Sequence, residues 1–298
     1  MHLTIVRERG DVLMKIIWHE EEKPKMEVKE KAGVTYLSYP AFTQYPWLVH
    51  GFSTRLGGAS QGMYSSMNLS FSRGDEKEAV MENYRRLGAA VGFLPEDVVT
   101  SDQTHTTNVR IVTEKDRGSG ITRPRDYSDV DGMITDVPGL VLGTFYADCV
   151  PLFFVDPVHR AIGLSHSGWR GTAGRMGEVT VKKMEQTFGS RPQDIYAAIG
   201  PSICQDCYEV SEDVIEQFRT AFDPKDWDHL FYRKENGKYQ LNLWEANRRI
   251  LREAGVCEER ISMPNLCTCC NPEFLFSHRA SKGKRGNLGA FLGIRKQE

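Results

Sequence analysis

The stretch that decides the fold is residues 147–171, ADCVPLFFVDPVHRAIGLSHSGWRG. Two apolar runs, residues 152–155 and 161–164, flank the dipeptide Asp156-Pro157. Short apolar runs bounded by turn residues are typical of buried strands, and an Asp-Pro pair favours a reversal of the chain. The stretch therefore predicts a buried β-hairpin that turns at its Asp-Pro pair.

The hairpin brings chemically active side chains to one end. Cys149 precedes its first strand and His166 follows its second apolar run, so antiparallel pairing places the thiol near the imidazole. Such a pair suits a metal site or an activated thiolate nucleophile, and the residues alone leave both interpretations open. We predict catalytic roles for Asp148, Cys149 and His166. Because neighbouring side chains of a regular strand point to opposite faces, Asp148 needs a bulge near Pro151 to reach the same cavity.

The composition indicates a globular chain in a reducing compartment. The 298 residues, 40% of them apolar, suffice for one large domain or two of ordinary size. A net charge of -2 gives no electrostatic basis for binding nucleic acid. Seven cysteines, an odd number, argue against a complete disulfide framework and favour the cytoplasm. Charged residues interrupt both the N-terminus and the apolar stretch 140–155, so we expect neither a secretory signal nor a membrane span.

Helical and extended patterns alternate along the chain. Apolar residues at three- and four-residue spacing predict helices at residues 78–91, 174–188, 211–222 and 242–254. Short apolar runs predict further strands at residues 16–18, 109–112, 139–146, 195–199, 274–277 and 288–294. The pattern favours an α/β (α+β) fold, a single-domain layered sandwich with a mixed central β-sheet. We expect residues 1–33 to form a peripheral N-terminal segment, with a solvated connection at 20–31, and residues 34–298 to form one catalytic domain.

A series of motifs is more specific than these patterns. In chain order the first are Gly51-Phe52-Ser53-Thr54-Arg55, Asn68-Leu69-Ser70, Gln103-Thr104-His105, Asp129-Val130-Asp131-Gly132, Ala147-Asp148-Cys149-Val150-Pro151, His166-Ser167-Gly168-Trp169-Arg170-Gly171 and Ile199-Gly200-Pro201. They are followed by Tyr208-Glu209-Val210, Cys267-Thr268, Ser277-His278-Arg279 and Arg285-Gly286. In this order the blocks resemble the YfiH/YlmD family over residues 49–294. Members of that family are called laccase-domain proteins, polyphenol oxidases or purine nucleoside phosphorylases with adenosine deaminase activity.

The resemblance implies a fold, a metal and a reaction. The implied fold is a layered α/β sandwich shared with cysteine hydrolases, and the implied metal is Zn²⁺ held by His105, Cys149 and His166. Two imidazoles and one thiolate suit Zn²⁺ and leave a fourth position open, as in catalytic zinc sites. We therefore expect a zinc-dependent purine nucleoside phosphorylase that acts on adenosine, inosine and methylthioadenosine. Adenosine deamination would be a side activity.

Phosphorolysis needs donors for phosphate and for the nucleoside. Arginine binds phosphate in a bidentate manner, so we predict phosphate contacts from Arg55 and Arg285, which lie near glycines, with Arg170 behind them. Asn68 and Gln103 are predicted to hydrogen-bond a ribose hydroxyl or a base edge.

Two other functions remain open. A copper-dependent phenol oxidase fits poorly with eight histidines and no His-x-His pair, although Cu²⁺ can replace Zn²⁺ at such a site. A Cys-His hydrolase or amidase acting on a cell-wall precursor would use Cys149 as nucleophile and His166 as base. His105 favours the metal site, because a thiol hydrolase needs no second imidazole.

Five of the remaining cysteines lie in two groups. Their spacing could supply a second, four-thiolate zinc site. The crowded second group is awkward for ligand geometry, so we expect free thiols at Cys204, Cys207, Cys267, Cys269 and Cys270.

Overall fold

The computed structural model describes residues 2–7, 13–19 and 26–296. Short strands with buried apolar residues dominate this part of the chain. The strands are β1 (His2–Arg7), β2 (Leu13–Trp18), β3 (Glu27–Lys31), β4 (Val34–Ser38), β5 (Leu48–Ser53), β6 (Val98–Thr100), β7 (Val109–Ile111), β8 (Gly132–Thr135), β9 (Val141–Tyr146), β10 (Val150–Asp156), β11 (Ala161–Ser167), β12 (Tyr196–Ile199), β13 (Glu209–Val210), β14 (Phe231–Arg233), β15 (Tyr239–Leu241), β16 (Ile261–Ser262) and β17 (Leu288–Ile294).

Helices occur where the apolar spacing predicts them, together with several short ones. They are α1 (Pro40–Thr43), α2 (Lys77–Val91), α3 (Trp169–Ala173), α4 (Met176–Phe188), α5 (Glu212–Ala221), α6 (Trp227–Leu230), α7 (Leu243–Glu253) and α8 (His278–Ser281). Local residues define the ends of the longer ones. α2 stops at Gly92, whose φ of 105° is left-handed. α7 starts after Asn242, whose side chain accepts a hydrogen bond from the backbone of Glu245 at 3.0 Å.

Two six-stranded mixed sheets form the centre of the molecule. Sheet I has the strand order β16-β12-β10-β11-β8-β7, and sheet II has the order β3-β4-β5-β17-β9-β6. Each contains both parallel and antiparallel neighbours. The predicted α/β class and layered single-domain architecture are confirmed. The sequence predicted one central sheet, whereas the structure has two, because β9 pairs with β17 and β6 instead of joining the hairpin.

The predicted hairpin is the centre of sheet I. Its strands β10 and β11 pair antiparallel, with Val150 opposite Ser167 and Asp156 opposite Ala161. Every residue of both strands is buried, as their apolar runs indicate. Pro151 lies opposite His166, so the residues just before β10 and at the end of β11 share one end of the hairpin.

The two sheets pack face to face, and helices cover their outer faces. Phe153 of β10 lies in the core between the sheets with Phe52 and Leu292 of sheet II. Phe154 points the other way, as alternation along a strand requires, into a core covered by α4, α5 and α7. α2 covers the outer face of sheet II, where Tyr84 packs against Phe291. The layers therefore run helix, sheet, sheet, helix.

Two of the predicted elements are wrong. Residues 274–277 form a turn leading into α8 and contain no strand. Phe274, Leu275 and Phe276 are all buried, so this apolar run indicates burial and not extended structure. In the segment predicted as a solvated connection, Glu27–Lys31 forms strand β3 at the edge of sheet II. Residues 20–25 of that connection lie outside the described residues.

The N-terminal region shares its core with the rest of the chain. Ile16, Trp18 and Met26 are buried in the cluster between the sheets, and the predicted strand at 16–18 is confirmed as part of β2. The division into segments 1–33 and 34–298 stays a prediction, and it falls in the turn between β3 and β4. Across the described ranges, no helix has the length and apolar character needed to cross a membrane.

Candidate metal centre and adjoining cavity

Cys149 lies where the chain crosses from one sheet to the other. Strand β9 of sheet II ends three residues before it, and β10 of sheet I begins at the next residue. The crossing passes through Asp148, whose φ of 92° is left-handed. The Asp148 carboxylate accepts hydrogen bonds from Thr268 Oγ1 and the Arg279 backbone N–H, both at 2.7 Å. These contacts hold the crossing in place, so Asp148 positions Cys149. A catalytic role for Asp148 stays a prediction that this geometry does not support.

A buried carboxylate orients the second predicted ligand, His166. Nδ1 of His166 donates a hydrogen bond to Oδ1 of Asp131 at 2.8 Å, because an ionised carboxylate can only accept. Burial opposes ionisation of Asp131, but hydrogen bonds from His166 and Thr106 lower its pKa below the ordinary value. The proton on Nδ1 leaves Nε2 of His166 available to a metal ion, the usual arrangement where a carboxylate supports a histidine ligand.

The same carboxylate shapes the loop that carries His105. Oδ2 of Asp131 accepts hydrogen bonds from the backbone N–H groups of Thr104 at 3.0 Å and Thr106 at 2.8 Å. Oδ1 accepts from the N–H of His105 at 3.2 Å. These bonds hold His105 at a φ of 67°, which is uncommon for a residue other than glycine. The imidazoles of His105 and His166 then lie 5.1 Å apart between centroids.

The three predicted ligands converge on one point. Ligand atoms of His105, Cys149 and His166 all lie within 4.8 Å of one another. A glycine permits this approach, because a Cβ at Gly168 would lie 3.1 Å from Cys149 Sγ and 3.2 Å from Cδ2 of His105. Two imidazoles and one thiolate fit a borderline-soft divalent metal ion, and three protein ligands leave one position for water or substrate. The donor set therefore fits a catalytic metal ion.

In the metal-free protein, the thiol and the imidazole stabilise each other's charged forms. Burial opposes ionisation of Cys149, but the charge of His166 and hydrogen bonds with His105 and His166 lower its pKa to about 6. Burial also opposes protonation of His166, but the Cys149 thiolate and Asp131 raise its pKa to about 9. At neutral pH the site thus contains a thiolate and an imidazolium. A metal cation would take the place of the imidazolium proton.

A cavity of about 400 Å³ adjoins the three ligands and is also lined by Arg73 and Arg285. Burial and the charge of Arg73 lower the pKa of Arg285 to about 10. Neither arginine forms a salt bridge with a carboxylate in the part of the chain that the structure describes, and Nε of Arg285 is buried there without a hydrogen-bond partner. Two guanidinium groups that are not paired with a carboxylate favour an anionic ligand.

Two of the predicted substrate-binding residues line this cavity, namely Gln103 and Arg285. The amide of Gln103 is already engaged, because Nε2 donates to the carbonyl of Phe145 at 2.8 Å and Oε1 accepts from its N–H at 2.7 Å. Gln103 therefore supports the cavity wall with its polar atoms. Of these two residues, Arg285 is the one with a buried donor, Nε, that has no hydrogen-bond partner among the described residues.

The other three predicted substrate-binding residues do not line the cavity. Arg55 donates from Nε to the carbonyl of Ser65 at 2.9 Å and from Nη1 to that of Pro272 at 2.6 Å. Asn68 is fully buried, and its side-chain oxygen accepts hydrogen bonds from the backbone N–H groups of Ser70 and Asn287, two residues of the cavity wall. Arg170 is exposed and stacks on the indole next to it, 4.2 Å from the ring centroid. Their substrate contacts stay predictions without geometric support.

Three residues of the site carry no role in the sequence prediction. Asp131 and Gly168 lie inside the motif blocks, and their position in those blocks was the sequence signal that could have identified them as site residues. Arg73 lies in the loop Ser72-Arg73-Gly74, outside every block. Nothing in the local pattern distinguishes it from a surface arginine.

Fold and site together define a layered α/β protein with a cluster of two histidines and one cysteine, suited to a metal ion, beside a cationic cavity. The model of the family described as "Multi-copper polyphenol oxidoreductase laccase" matches residues 49–295. The chain belongs to this family, and the resemblance to YlmD-type proteins is confirmed.

Curated relatives and solved structures agree with this assignment. The purine nucleoside phosphorylase YlmD of Bacillus subtilis is 37% identical over 252 residues, which cover 83% of this chain and 89% of the relative. A protein named adenosine deaminase RL5, from an unknown prokaryotic organism, is 35% identical over 78% of this chain and 88% of its own length. The crystal structure of YlmD from Geobacillus stearothermophilus superposes with a TM-score of 0.85 at 36% identity, covering 92% of this chain and all of that one.

Proposed function

We propose that this chain is a zinc-dependent purine nucleoside phosphorylase. The observation that carries the proposal is one cavity that joins the metal ligands His105, Cys149 and His166 to the guanidinium groups of Arg73 and Arg285. A metal centre alone would suit many hydrolytic or redox reactions. Two guanidinium groups beside it, neither in a salt bridge with a carboxylate among the described residues, favour a reaction in which phosphate takes part. The relatives named purine nucleoside phosphorylase support the nucleoside as the second substrate.

Phosphorolysis moves a ribosyl group from a purine to phosphate. A phosphate oxygen attacks C1′ of the ribose, and the bond between C1′ and the purine nitrogen breaks. The base leaves with the electron pair and takes up a proton, so the products are free base and ribose 1-phosphate. Arg73 and Arg285 would hold the phosphate. Burial and, to a smaller extent, the charge of Arg73 lower the pKa of Arg285 to about 10, and a bound dianion would offset the repulsion between the two guanidinium groups.

The residues around the metal centre have distinct tasks. Bound Zn²⁺ would supply a Lewis acid that polarises an oxygen or lowers the pKa of a water molecule. Asp131 keeps the proton of His166 on Nδ1, the nitrogen that faces Asp131. Gly168 leaves the ligand atoms room to converge. Cu²⁺ would compete for the same donors, so phenol oxidation that depends on copper loading is the expected result of metal replacement.

We propose adenosine deamination as a side activity of the same cavity. Its support is the relative named adenosine deaminase RL5 and a metal-ligand set of His and Cys residues, as in zinc deaminases.

A Cys-His hydrolase is the other candidate that an observation favours, because Cys149 and His166 form a thiolate and imidazolium pair without metal. The phosphorylase requires the metal ion, whereas the Cys-His hydrolase does not.

The test is phosphate-dependent release of base. Protein purified without chelator is incubated with adenosine or inosine, with and without phosphate, and free base, ribose 1-phosphate and inosine formed from adenosine are measured. We expect base release only with phosphate, and we expect it to disappear in Cys149→Ala and after removal of the metal. Base release that is absent under all conditions would overturn the proposal. Activity that persists without metal but is lost on alkylation of Cys149 would favour the hydrolase.

The phosphate site is tested with matched arginine variants. Arg73→Gln and Arg285→Gln should raise the phosphate KM, because each removes one of the two cavity-lining arginines that form no salt bridge, whereas the third, Arg125, pairs with Asp102. Arg191→Gln is the control, since Arg191 is 74% exposed and pairs with Asp194 on the surface. Unchanged phosphate KM in both cavity variants would show that phosphate binds elsewhere.

We also propose a cytoplasmic location and small-molecule substrates. All seven cysteines are free in the structure, which is typical of proteins in a reducing compartment. The net charge of -2 supports neither nucleic acid nor an anionic membrane surface as a partner.

A further inference from the structure

A second cluster of soft metal ligands lies apart from the cavity lining. Ligand atoms of His19, Cys204, Cys267 and Cys270 all lie within 4.8 Å of one another, and none of the four residues lines the cavity. They come from three separate parts of the chain: the end of β2, the loop after β12 and a turn before α8. Three thiols and one imidazole gathered from such distant segments require a physical explanation.

The geometry of the sulfur atoms is that of metal ligands. Cys267 and Cys270 have the C-x-x-C spacing of zinc-binding turns, which the adjacent Cys269 obscures in the sequence. Sγ of Cys267 accepts hydrogen bonds from the backbone N–H groups of Cys204 at 3.2 Å and Cys270 at 3.4 Å. Such bonds stabilise a thiolate. Sγ of Cys204 lies 3.9 Å from Sγ of Cys270, close to the separation of about 3.8 Å expected for two sulfurs each about 2.3 Å from a tetrahedral zinc ion.

The N-terminal strand delivers the fourth ligand. Trp18 forms an antiparallel bridge with Leu266, and the N–H of His19 donates to the carbonyl of Asn265 at 2.9 Å. Asn271 fastens the strand further, because its side chain accepts from the N–H of Ile17 at 2.7 Å and donates to the carbonyl of Ile17 at 3.0 Å. His19 is thereby held beside the turn that carries two of the cysteines.

The imidazole of His19 has an unsatisfied nitrogen. Nε2 is buried and has no hydrogen-bond partner among the residues that the structure describes. The ring packs edge-on against Trp244, 5.6 Å between centroids, so an apolar surface flanks it. A buried ring nitrogen without a partner is costly unless it binds something, and the nearest available soft ligands are the three cysteines.

We propose that His19, Cys204, Cys267 and Cys270 bind a structural zinc ion that fastens β2 to the body of the protein. Four protein ligands fill a tetrahedral shell and leave no open position, which is the pattern of structural and not catalytic zinc. Thr268, which lies in the turn between two of the ligands, donates to the carboxylate of Asp148 at 2.7 Å. The zinc ion therefore also stiffens the turn against which the Asp148–Cys149 crossing rests. The expectation that these cysteines are all free thiols is revised for three of them.

Cys207 is the matched control. Its Sγ lies 3.5 Å from that of Cys270, yet it is outside the group of four whose ligand atoms converge. Cys207→Ser should retain the metal, whereas Cys267→Ala and His19→Ala should lose or weaken it. The reverse result, loss in Cys207→Ser with retention in His19→Ala, would overturn the proposed ligand set.

The experiment counts zinc ions in the full-length chain. Wild-type protein should contain two zinc ions per chain, one for each group of converging ligands. Cys149→Ala should contain one, Cys267→Ala should contain one, and the double variant should contain none. Two zinc ions in Cys267→Ala would overturn the proposal, and so would one in wild type with none in Cys149→Ala. These counts do not depend on whether the chain has phosphorylase activity.

Two measurements on the wild-type protein remain decisive if a variant fails to fold. Crystals should give an anomalous difference peak at the zinc edge among the four ligand atoms. Absence of that peak in crystals that show zinc at Cys149 would overturn the proposal, as would a disulfide among these cysteines in protein purified under reducing conditions. Removal of this zinc ion should also abolish the protection of β2 amide groups against hydrogen exchange, because His19 ties the strand to the turn.

Discussion

Asp131→Asn should weaken metal binding by changing which ring nitrogen of His166 carries the proton. Oδ2 of Asp131 accepts three hydrogen bonds, from the N–H groups of Thr104 and Thr106 and from the Thr106 hydroxyl. In the variant the amide oxygen must keep that position, so the amide nitrogen faces Nδ1 of His166. Two donors cannot share one hydrogen bond, and the proton of His166 moves to Nε2, the nitrogen needed by the metal.

The expected magnitude follows from this displacement. Loss of the carboxylate behind a histidine ligand costs about 10- to 100-fold in metal affinity, which corresponds to about 1.4–2.7 kcal/mol. The pKa of Cys149 should rise as well, because the charge of His166 helps to lower it. The assay is competition for Zn²⁺ with a chromophoric chelator, run beside Cys149→Ala so that metal held elsewhere in the chain is counted separately.

Asp129→Asn is the control for this prediction. Asp129 is exposed, its side chain accepts a hydrogen bond from Thr104 Oγ1 at 2.7 Å, and its φ of 55° is readily adopted by asparagine. The control should bind Zn²⁺ as the wild type does. Equal Zn²⁺ affinity for Asp131→Asn, in protein with an unchanged circular dichroism spectrum, would refute the argument from the His166 tautomer.

Three further predictions follow from individual contacts. Gly168→Ala should lower Zn²⁺ affinity in the same chelator assay, because its Cβ would lie 3.1 Å from Cys149 Sγ; unchanged affinity would mean that the loop moves aside. Burial lowers the pKa of His50 to about 4, so its stabilisation is complete above its ordinary pKa of 6.5 and is lost as the pH falls towards 4. Urea unfolding should show a loss on the order of 3 kcal/mol over that interval, and a loss of the same size in His50→Gln would contradict the assignment. Phe153→Ala should lower the free energy of unfolding by about 3–5 kcal/mol, because the ring is fully buried between the sheets; a loss below about 1 kcal/mol would show that this core repacks.

The elements that the sequence predicted correctly are those with a local cause. The β10–β11 hairpin has an Asp-Pro turn between two apolar runs, and α7 has an asparagine cap at its start. The second sheet has no local cause, since β17 pairs with β5 and β9, which lie far away in the chain. Residues 274–276 show the same limitation, because a short apolar run indicates burial without specifying strand or turn.

The sequence likewise predicted some residues of the candidate site and missed others. The metal ligands follow from motif blocks that carry His and Cys, but the residue that orients them, Asp131, is a carboxylate among several. Arg55 satisfies the sequence criteria for a phosphate ligand, yet two carbonyl groups take up its donors. Arg73 lies next to Gly74 but outside every motif block, and it lines the cavity. Whether a guanidinium is neutralised depends on groups distant in the chain, and local sequence does not contain that information.

The position of the site follows from the way the two sheets are connected. The chain leaves sheet II at the end of β9 and enters sheet I at the start of β10, so the residues between must turn sharply. Asp148 makes this turn with a left-handed backbone, which costs on the order of 1 kcal/mol and persists only where the surroundings enforce it. Thr268 and the backbone of Arg279 supply that enforcement. Cys149 therefore lies at the seam of the two sheets, with cavity walls from sheet II and the support of His166 from sheet I. The topology of the whole domain thus holds the Cys149 thiolate in place. Asp148 contributes to the site by fixing the backbone at the crossing.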